Sequence, residues 1–415
     1  MTSLLSLNIQ KRGNPHNHNM EIQFQSSPQS KSAEIVASIA DLLTEILLRL
    51  PVKSVLRFKL VSKRWFHLIS DPRFCQLLNP NPNPAVGLFL SSSAANSGED
   101  LHEYVPFHPN ESTEFIKDHL PSGVRILQSC NGLMLCCSKI SAGNDPEYFA
   151  YNPTTKKLSI LPKPDQTNGI LKTIRGINLA FDPVKSFQYK IVSVWLLETD
   201  LGTDTESRFE IIVYSSETRS WRVQSQPFTS PANFEKGVYW NNAIHWMATV
   251  GSSESLYFNI HNQTLSNIPI LPLTYSTHCK RDHYFGESCG HLHFIDMRRP
   301  QLKLVVYELK MDYSQWFVKY QVDLSAVVVA NPAMASRRGS PMFWCGFVFQ
   351  VLAVVPGKED EDSFLVLQIP EKVVRYNIQG KTFEDLVEFE GGIVRSSLRY
   401  PNGRGFQYIQ SLCCV

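Results

Sequence analysis

The sequence contains one stretch in which apolar side chains recur at three- and four-residue spacing, near its amino-terminal end. Such spacing is typical of one face of an α-helix, and it is shown by Leu42, Leu43, Ile46, Leu47 and Leu50. Asp41 is a good N-cap for this helix, because its side-chain oxygens can accept an N–H bond from the first turn. Pro51 predicts the end of the helix, since proline lacks an N–H and disfavours helix in the residue before it.

Further short helices are predicted directly after Pro51. The first contains Val55, Leu56 and Phe58. The second can be capped by Ser62, and its inner side carries Trp65, Leu68 and Ile69. Asp71 followed by Pro72 is a cap with a first-turn proline, so one more helical turn is expected. About 40 residues bury too little surface for independent stability, and the apolar side chains outnumber what a small bundle can cover. We therefore expect an interface with another protein.

The sequence of residues 41–74 is DLLTEILLRLPVKSVLRFKLVSKRWFHLISDPRF. This block resembles the plant-type F-box over nearly its whole length, with signature pieces at Leu47 to Pro51, at Val61–Ser62–Lys63 and at Trp65. The resemblance implies a three-helix unit that docks on a Skp-family adaptor and, through it, on a cullin–RING ubiquitin ligase. The adaptor-binding residues expected from it are Leu42, Leu43, Ile46, Leu47, Leu50, Pro51, Val55, Leu56, Val61 and Trp65.

The start of this block departs from the family pattern. F-boxes usually begin with Leu-Pro ahead of the first helix, whereas Ser38 and Ile39 occupy those positions here. The loss of a rigid entry and of some apolar contact predicts an adaptor affinity below the family's norm. The alternative to adaptor binding is a small bundle that only caps the next domain.

From Val86 to Val415 the pattern changes to runs of four to eight apolar and aromatic residues separated by turn residues, which predicts strands. An internal repeat organises them: an aromatic residue is followed seven positions later by a large apolar residue, with polar turn formers between. The four pairs are Tyr151 and Leu158, Tyr214 and Trp221, Phe258 and Leu265, and Tyr376 and Phe383. A fifth copy, from Tyr307 to Trp316, is two residues longer.

A second hairpin is predicted ahead of these copies, with turns at Asn131–Gly132, at Asn241–Asn242 and near Gly290, and more loosely from Asp182 to Gln188. Each unit therefore has four strands, which is typical of the blades of a β-propeller. Five units are complete. The last strand, FQYIQSLCCV, can join the early strands near Val86 to Leu90 in a sixth blade that closes the ring.

We therefore predict a mainly β protein, with a small N-terminal helical unit followed by a propeller of six rather than seven blades. The WD-repeat signature is absent, and paired glycines of the kelch type occur only at Gly391–Gly392. The region resembles the F-box-associated domain that follows the F-box in a large plant family. The expected divisions are a disordered polar tail (1–34), the F-box (35–78), a stiff Pro/Asn linker (79–85) and the propeller (86–415).

Composition excludes several classes of partner. The 415 residues carry a formal net charge of +2, so nothing indicates binding to nucleic acid or to an anionic membrane. No apolar run has the length needed to span a bilayer. The nine cysteines are odd in number and lie in strand-like runs. They indicate reduced thiols in an intracellular protein of the cytoplasm, the nucleus or both.

One segment invites a metal hypothesis. Residues 278–293 contain four histidines and two cysteines, and His291 and His293 share a strand face with Cys289. The spacing is not that of the common structural zinc sites, so we favour ordinary strand packing. No phosphate-binding loop, nucleophile elbow or metalloprotease helix is present. We predict no catalytic residue, no metal and no cofactor.

Loop lengths predict which face of the propeller binds a partner. In a four-stranded blade the first and third turns share one face, and here most are short. The middle turns and inter-blade links share the other face and are mostly long, as at Ser141–Pro146, Thr199–Glu206, Pro356–Asp362, Lys163–Thr173, Ser225–Phe234, Thr274–Asp282 and Asn331–Pro341. Long loops on a rigid scaffold concentrate binding residues. The expected contacts with a protein substrate are Asp200, Asp204, Lys280, Arg281, Arg337 and Arg338.

Two functional hypotheses follow. The first is a non-catalytic substrate receptor, in which the helical unit holds the adaptor and the propeller binds a protein that the sequence does not identify. The second is a propeller enzyme or small-ligand binder, for example of a carbohydrate, with the helical unit as a scaffold contact. The second hypothesis predicts polar and aromatic residues converging in the central channel.

Overall fold

The computed structural model describes residues 39–78, 84–93, 100–108, 120–121, 123–138, 146–164, 172–197, 207–248, 254–272, 283–297, 302–335, 347–389, 404–413 and 415. The chain separates into two compact units, Met1–Phe74 and Cys75–Val415. The predicted tail (1–34) and most of the predicted linker lie outside the described residues, so those two assignments stay predictions.

Ile39 is the first described residue of the helical unit. Its helices are α1 (Ala40–Leu48), α2 (Val52–Phe58) and α3 (Lys63–Ser70), and α4 (Pro72–Leu78) runs across the division between the units. Ser62 caps α3 as expected, because its hydroxyl accepts the Trp65 N–H at 3.2 Å. The prediction that Asp41 caps α1 was wrong. The N-cap position belongs to Ile39, which has no side-chain cap, and Asp41 lies in the first turn, where its charge favours the helix dipole.

The larger unit begins with β1 (Gly87–Ser93) and β2 (Asp100–Pro106). Five four-stranded antiparallel blades follow in chain order. Blade one contains β3 (Val124–Cys130), β4 (Leu133–Ser138), β5 (Tyr148–Asn152) and β6 (Lys157–Ile160). Blade two contains β7 (Lys172–Ala180), β8 (Lys190–Leu197), β9 (Arg208–Ser215) and β10 (Ser220–Val223), and β11 (Phe228–Thr229) also pairs with β9.

The remaining blades repeat this arrangement. Blade three contains β12 (Val238–Trp240), β13 (Ala243–Trp246), β14 (Leu256–Asn259) and β15 (Thr264–Asn267). Blade four contains β16 (His283–Ser288), β17 (His291–Asp296), β18 (Lys303–Leu309) and β19 (Trp316–Asp323), and is followed by α5 (Ser325–Ala330). Blade five contains β20 (Gln350–Val355), β21 (Phe364–Ile369), β22 (Lys372–Asn377) and β23 (Phe383–Glu388).

Blade six joins the two ends of the unit, and this confirms the six-bladed prediction. Its strand order is β2, β1, β24 (Arg404–Tyr408), with Phe89 opposite Phe406. The first strands of neighbouring blades contact one another in the order β3, β7, β12, β16, β20, β24 and back to β3. The ring is therefore closed, with these six strands innermost and the apolar cores between adjacent sheets.

The repeated residue pairs lie directly opposite each other on neighbouring strands. Tyr151 pairs with Leu158, and the corresponding pairs in blades two, three and five have the same register. The expected tight turns are present: Asn131 and Gly132 have φ values of 47° and 92°, as a primed hairpin turn requires. A Cβ on Gly132 would overlap Ser411, so glycine also permits the close approach of the C-terminal segment.

One turn was assigned to the wrong face. The segment Pro356–Asp362 joins β20 to β21, so it is a first turn, and the middle turn of blade five is the short Pro370–Glu371 connection. The first hairpin of this blade has a long acidic loop in place of a two-residue turn, which made its strands look like the second pair. The acidic run Glu359–Asp362 therefore lies on the short-turn face.

Candidate functional site

The helical unit exposes a group of large apolar side chains that water would normally disfavour. Leu60 is 88% exposed and Val61 is 59% exposed, both in the connection between α2 and α3. The other exposed large apolar side chains in the described part of this unit (39–74) are Ile39, Leu42, Ile46 and Phe66. We call these six residues the apolar patch. An exposed set of this size in so small a unit is typical of a protein–protein interface.

The structure divides the ten predicted adaptor-binding residues into three groups. Leu42, Ile46, Pro51 and Val61 are exposed; Leu50, Leu56 and Trp65 are partly buried; Leu43, Leu47 and Val55 are buried. The last three are core residues of the helical unit, and direct contact of the ten residues with an adaptor stays a prediction. Trp65 packs edge-on against Phe58, with ring centroids 5.2 Å apart, and so joins α2 to α3.

The ten predicted adaptor-binding residues do not include three patch residues, Ile39, Leu60 and Phe66. Leu60 was expected among the apolar side chains that the bundle cannot cover, and it is exposed. The unit is also basic: residues 41–74 contain seven Lys and Arg residues and three Asp and Glu residues, a net charge of +4. A positively charged surface around an apolar patch favours an acidic partner.

The second candidate site is a cavity of about 550 Å³ in the central channel of the propeller. Five of the six innermost strands contribute to it, namely β3, β12, β16, β20 and β24. It is also lined by the inter-blade links ahead of β12 and β16. The first residues of β16, β20 and β24 (His283, Gln350 and Arg404) line it as well, so it lies towards the long-loop face.

A hydrogen bond crosses the channel near its short-turn side, which we call the floor of the cavity. The amide Nε2 of Gln407, on β24, donates to the carbonyl of Glu287, on β16, at 3.0 Å. These two strands are separated by β20 in the ring, so the bond crosses the channel. The Glu287 carboxylate accepts the Gly290 N–H at 2.7 Å, and burial raises the pKa of Glu287 to about 7. Its carbonyl oxygen and its carboxyl Oε1 thus bond within the propeller.

Comparisons with known proteins agree with this architecture. Residues 40–77 match the family described as the F-box domain, and residues 98–289 match the F-box associated beta propeller domain. An F-box protein of Arabidopsis thaliana is 33% identical over 416 residues, covering 93% of this chain and 94% of that protein. The chain belongs to the F-box protein family. This agrees with the resemblance seen in its sequence.

Two further relatives of this F-box protein are also from Arabidopsis thaliana. One F-box protein is 24% identical over 384 residues, covering 87% of this chain and 85% of the relative. An F-box/kelch-repeat protein is 24% identical over 230 residues, covering 51% of this chain and 59% of the relative. The first of these two relatives thus aligns with most of the F-box protein's length.

The six predicted substrate contacts of the F-box protein all fall outside the described residues: Asp200, Asp204, Lys280, Arg281, Arg337 and Arg338. They stay predictions. The loops that carry them are a middle turn and two inter-blade links, as expected, because they connect β8 to β9, β15 to β16 and β19 to β20. Their flanking strands therefore end at the long-loop face, where the cavity lies.

The histidines of the F-box protein's blade four hold a buried carboxylate. His291 Nδ1 lies 2.8 Å from Glu308 Oε1, and His293 Nε2 lies 3.7 Å from Glu308 Oε2. Burial opposes ionisation of Glu308, but the two histidines outweigh it and hold its pKa at about 2. Among the described residues no group of three or more His, Cys, Asp or Glu side chains is arranged to hold a metal. Cys289 is placed in the tight turn before β17.

Replacing Glu308 by glutamine should destabilise the propeller by about 1–3 kcal/mol near neutral pH, because it removes the carboxylate that His291 bonds at 2.8 Å. Glu308 has a depressed pKa, so its contribution is present above about pH 4.5 and lost as the pH falls towards 2. The raised pKa of His291 adds a contribution that is present below about pH 6.5 and lost at higher pH. His293 acts oppositely, since burial lowers its pKa.

Thermal melts of wild type and Glu308→Gln from pH 3 to pH 9 measure this difference, which should be largest between about pH 4.5 and 6.5. The matched control is Glu384→Gln, an exposed carboxylate paired with Arg375, which should change stability by less than about 1 kcal/mol. A gap between wild type and Glu308→Gln that stays constant across this pH range would contradict the assignment.

Proposed function

We propose that this chain is the substrate-recognition subunit of an SCF-type (Skp–cullin–F-box) ubiquitin ligase. An F-box followed by a propeller, in a family of F-box proteins, supports a substrate-adaptor role in SCF complexes in general. The observation that carries the proposal is the apolar patch, because six large side chains are exposed on the unit that matches the F-box. We assign the patch to a Skp-family adaptor and the propeller to a protein substrate.

The proposed mechanism is proximity. A substrate held on the propeller would have its lysines near the ubiquitin thioester of the conjugating enzyme, which replaces a bimolecular encounter by an effectively intramolecular one. No side chain of this chain has to touch the reacting atoms. F-box proteins are generally non-catalytic adaptors, which favours the receptor over the propeller enzyme.

The cysteines support a reducing compartment, and we place the protein in the cytoplasm or nucleus. Among the described residues, Cys130, Cys136 and Cys137 are buried free thiols. Burial raises the pKa of the Cys136 and Cys137 thiols, which keeps them unreactive. Helices of membrane-spanning length and apolarity do not occur in the part of the chain that the structure describes.

Affinity purification of the full chain from plant extract tests this function. A Skp-family adaptor and a cullin should co-purify in near-stoichiometric amounts. A variant that lacks residues 1–74 should lose both proteins, because the apolar patch is removed with them. The propeller that remains should keep its own melting transition. Retention of adaptor and cullin by the truncated chain would refute the docking assignment.

A further inference from the structure

The cavity in the central channel has the size of a specific binding pocket, since such pockets usually measure about 300–1,000 Å³. At its floor two amides already bond within the propeller. Gln128 donates to the Leu179 carbonyl at 3.1 Å and accepts the Leu179 N–H at 2.7 Å, and Gln407 donates to the Glu287 carbonyl. A polar guest would lose its hydration there and find both amides engaged. The floor therefore favours an apolar group.

One wall of the cavity is apolar. It is formed by the inner parts of blades three and four and the link between them, namely Met247, Pro269, Ile270, Leu271 and Phe285. Ile270 is 66% exposed at the rim, although neighbouring Leu271 and Phe285 pack against the core. An aromatic or branched aliphatic side chain entering here would cover this wall, and one such group buries about 150–250 Å². The wall thus resembles the anchor pocket at the centre of a protein interface.

The opposite side of the rim is positively charged. Arg404, the first residue of β24 in blade six, is exposed and lines the cavity across the ring from blade three. It forms no ion pair with another described residue. Lys236 also lines the rim, but Glu235 beside it offsets its charge, and Asp296 lies on the blade-four side. A carboxylate is therefore favoured only next to Arg404.

We propose that the channel accepts one large apolar side chain of the captured protein together with an adjacent carboxylate that pairs with Arg404. This inference rests on the proposed substrate-receptor function and names the chemistry of the segment that is recognised. The carboxylate has two possible sources, a C-terminal carboxyl group or an internal Asp or Glu. The two sources place the same chemistry at the rim, and the experiment below separates them.

Selection of displayed random peptides on the full chain tests the proposal. One library ends in free carboxylates, and the other is followed by a fixed neutral, amidated sequence. Enriched peptides should contain Phe, Leu, Trp or Tyr beside a carboxylate, and the library that yields them identifies its source. Affinities of the enriched peptides, measured by fluorescence anisotropy, should fall at least about tenfold with Arg404→Glu and with Ile270→Asp.

Matched controls are available on the outer strand β10. Arg222→Glu and Val223→Asp make the same chemical changes at similarly exposed positions, and Val223 is 56% exposed. They should leave the affinities unchanged. A defect in folding would also weaken binding, so the peptide selection is repeated with the Arg404→Glu variant as the target for both libraries. The peptides enriched on this variant should carry Lys or Arg in place of the carboxylate.

Peptides without an apolar residue beside a carboxylate, or affinities that Arg404→Glu leaves unchanged, would overturn the proposal. A failure of this kind is separable from a failure of the proposed function. Adaptor and cullin should still co-purify with Arg404→Glu, because the apolar patch is untouched. Loss of adaptor from the wild-type chain would instead count against the receptor function and leave the pocket chemistry standing.

Discussion

Removal of residues 404–415 should leave a propeller that is insoluble or that no longer unfolds in one cooperative transition. The described part of the deleted segment contributes five buried apolar side chains, namely Phe406, Tyr408, Ile409, Leu412 and Cys413. Each large apolar side chain buried stabilises the fold by about 1.5–3 kcal/mol, so the loss rivals the whole stability of a typical domain, about 5–15 kcal/mol. The deletion also exposes the edge of β1, which favours aggregation. Soluble yield and a melting curve measure the outcome.

A cysteine pair distinguishes ring closure from a general need for these residues. Ser91 lies opposite Arg404 in the β1–β24 ladder, so Ser91→Cys with Arg404→Cys should form a disulfide on oxidation. The control pairs Ser91→Cys with Gln407→Cys, three residues out of register and about 10 Å further along the strand. Mass spectrometry of the cross-linked peptides measures the disulfide yield of both pairs. Equal yields for the two pairs would contradict closure through β24. A soluble deletion variant with the melting curve of the wild type would contradict it as well.

Placing two charges in the apolar patch should abolish adaptor binding without unfolding the chain. Leu60→Asp combined with Val61→Asp leaves both side chains in water in the free protein, because both positions are exposed. In a complex the carboxylates would be buried without partners, which costs several kcal/mol. We expect affinity for a Skp-family adaptor, measured by calorimetry, to fall at least about 100-fold.

Two controls separate surface from core in this experiment. Val329→Asp adds a charge at an equally exposed apolar position of the propeller, and adaptor binding should be unchanged. Leu47→Ala removes a side chain that is 0% exposed, and should cost about 2–5 kcal/mol of stability in the helical unit. The Leu47→Ala variant should bind the adaptor more weakly only to the extent that a fraction of its helical units is unfolded. Normal adaptor affinity in the double aspartate variant would show that the patch faces something else.

Much of the propeller is predictable because its signals are local. The tight turn at Asn131–Gly132 needs positive φ values, and the repeated aromatic pairs mark residues that face each other across one hairpin. Ring closure joins residues far apart in sequence, yet it follows from counting strands and from the cost of open edges. Blade five shows the limit: without a two-residue turn between β20 and β21, the hairpins could not be told apart.

Other features depend on tertiary packing and leave little trace in the sequence. Helical periodicity groups Leu42, Leu43, Ile46 and Leu47 on one side of α1, but only packing decides that Leu43 and Leu47 are buried and the other two exposed. The cavity gathers residues from five separate strands, so no contiguous motif marks it. The bond from Gln407 to Glu287, which crosses its floor, joins positions 120 residues apart.

The most direct test of the receptor account compares capture with ubiquitination for the same bound proteins. Proteins captured by wild type and by the Leu60→Asp, Val61→Asp variant are quantified under proteasome inhibition, together with the ubiquitin attached to each. The account predicts at least one protein captured equally by both chains, whose ubiquitination falls several-fold with the variant. If every equally captured protein carries the same ubiquitin with both chains, the propeller does not present substrates to a ligase held by the apolar patch.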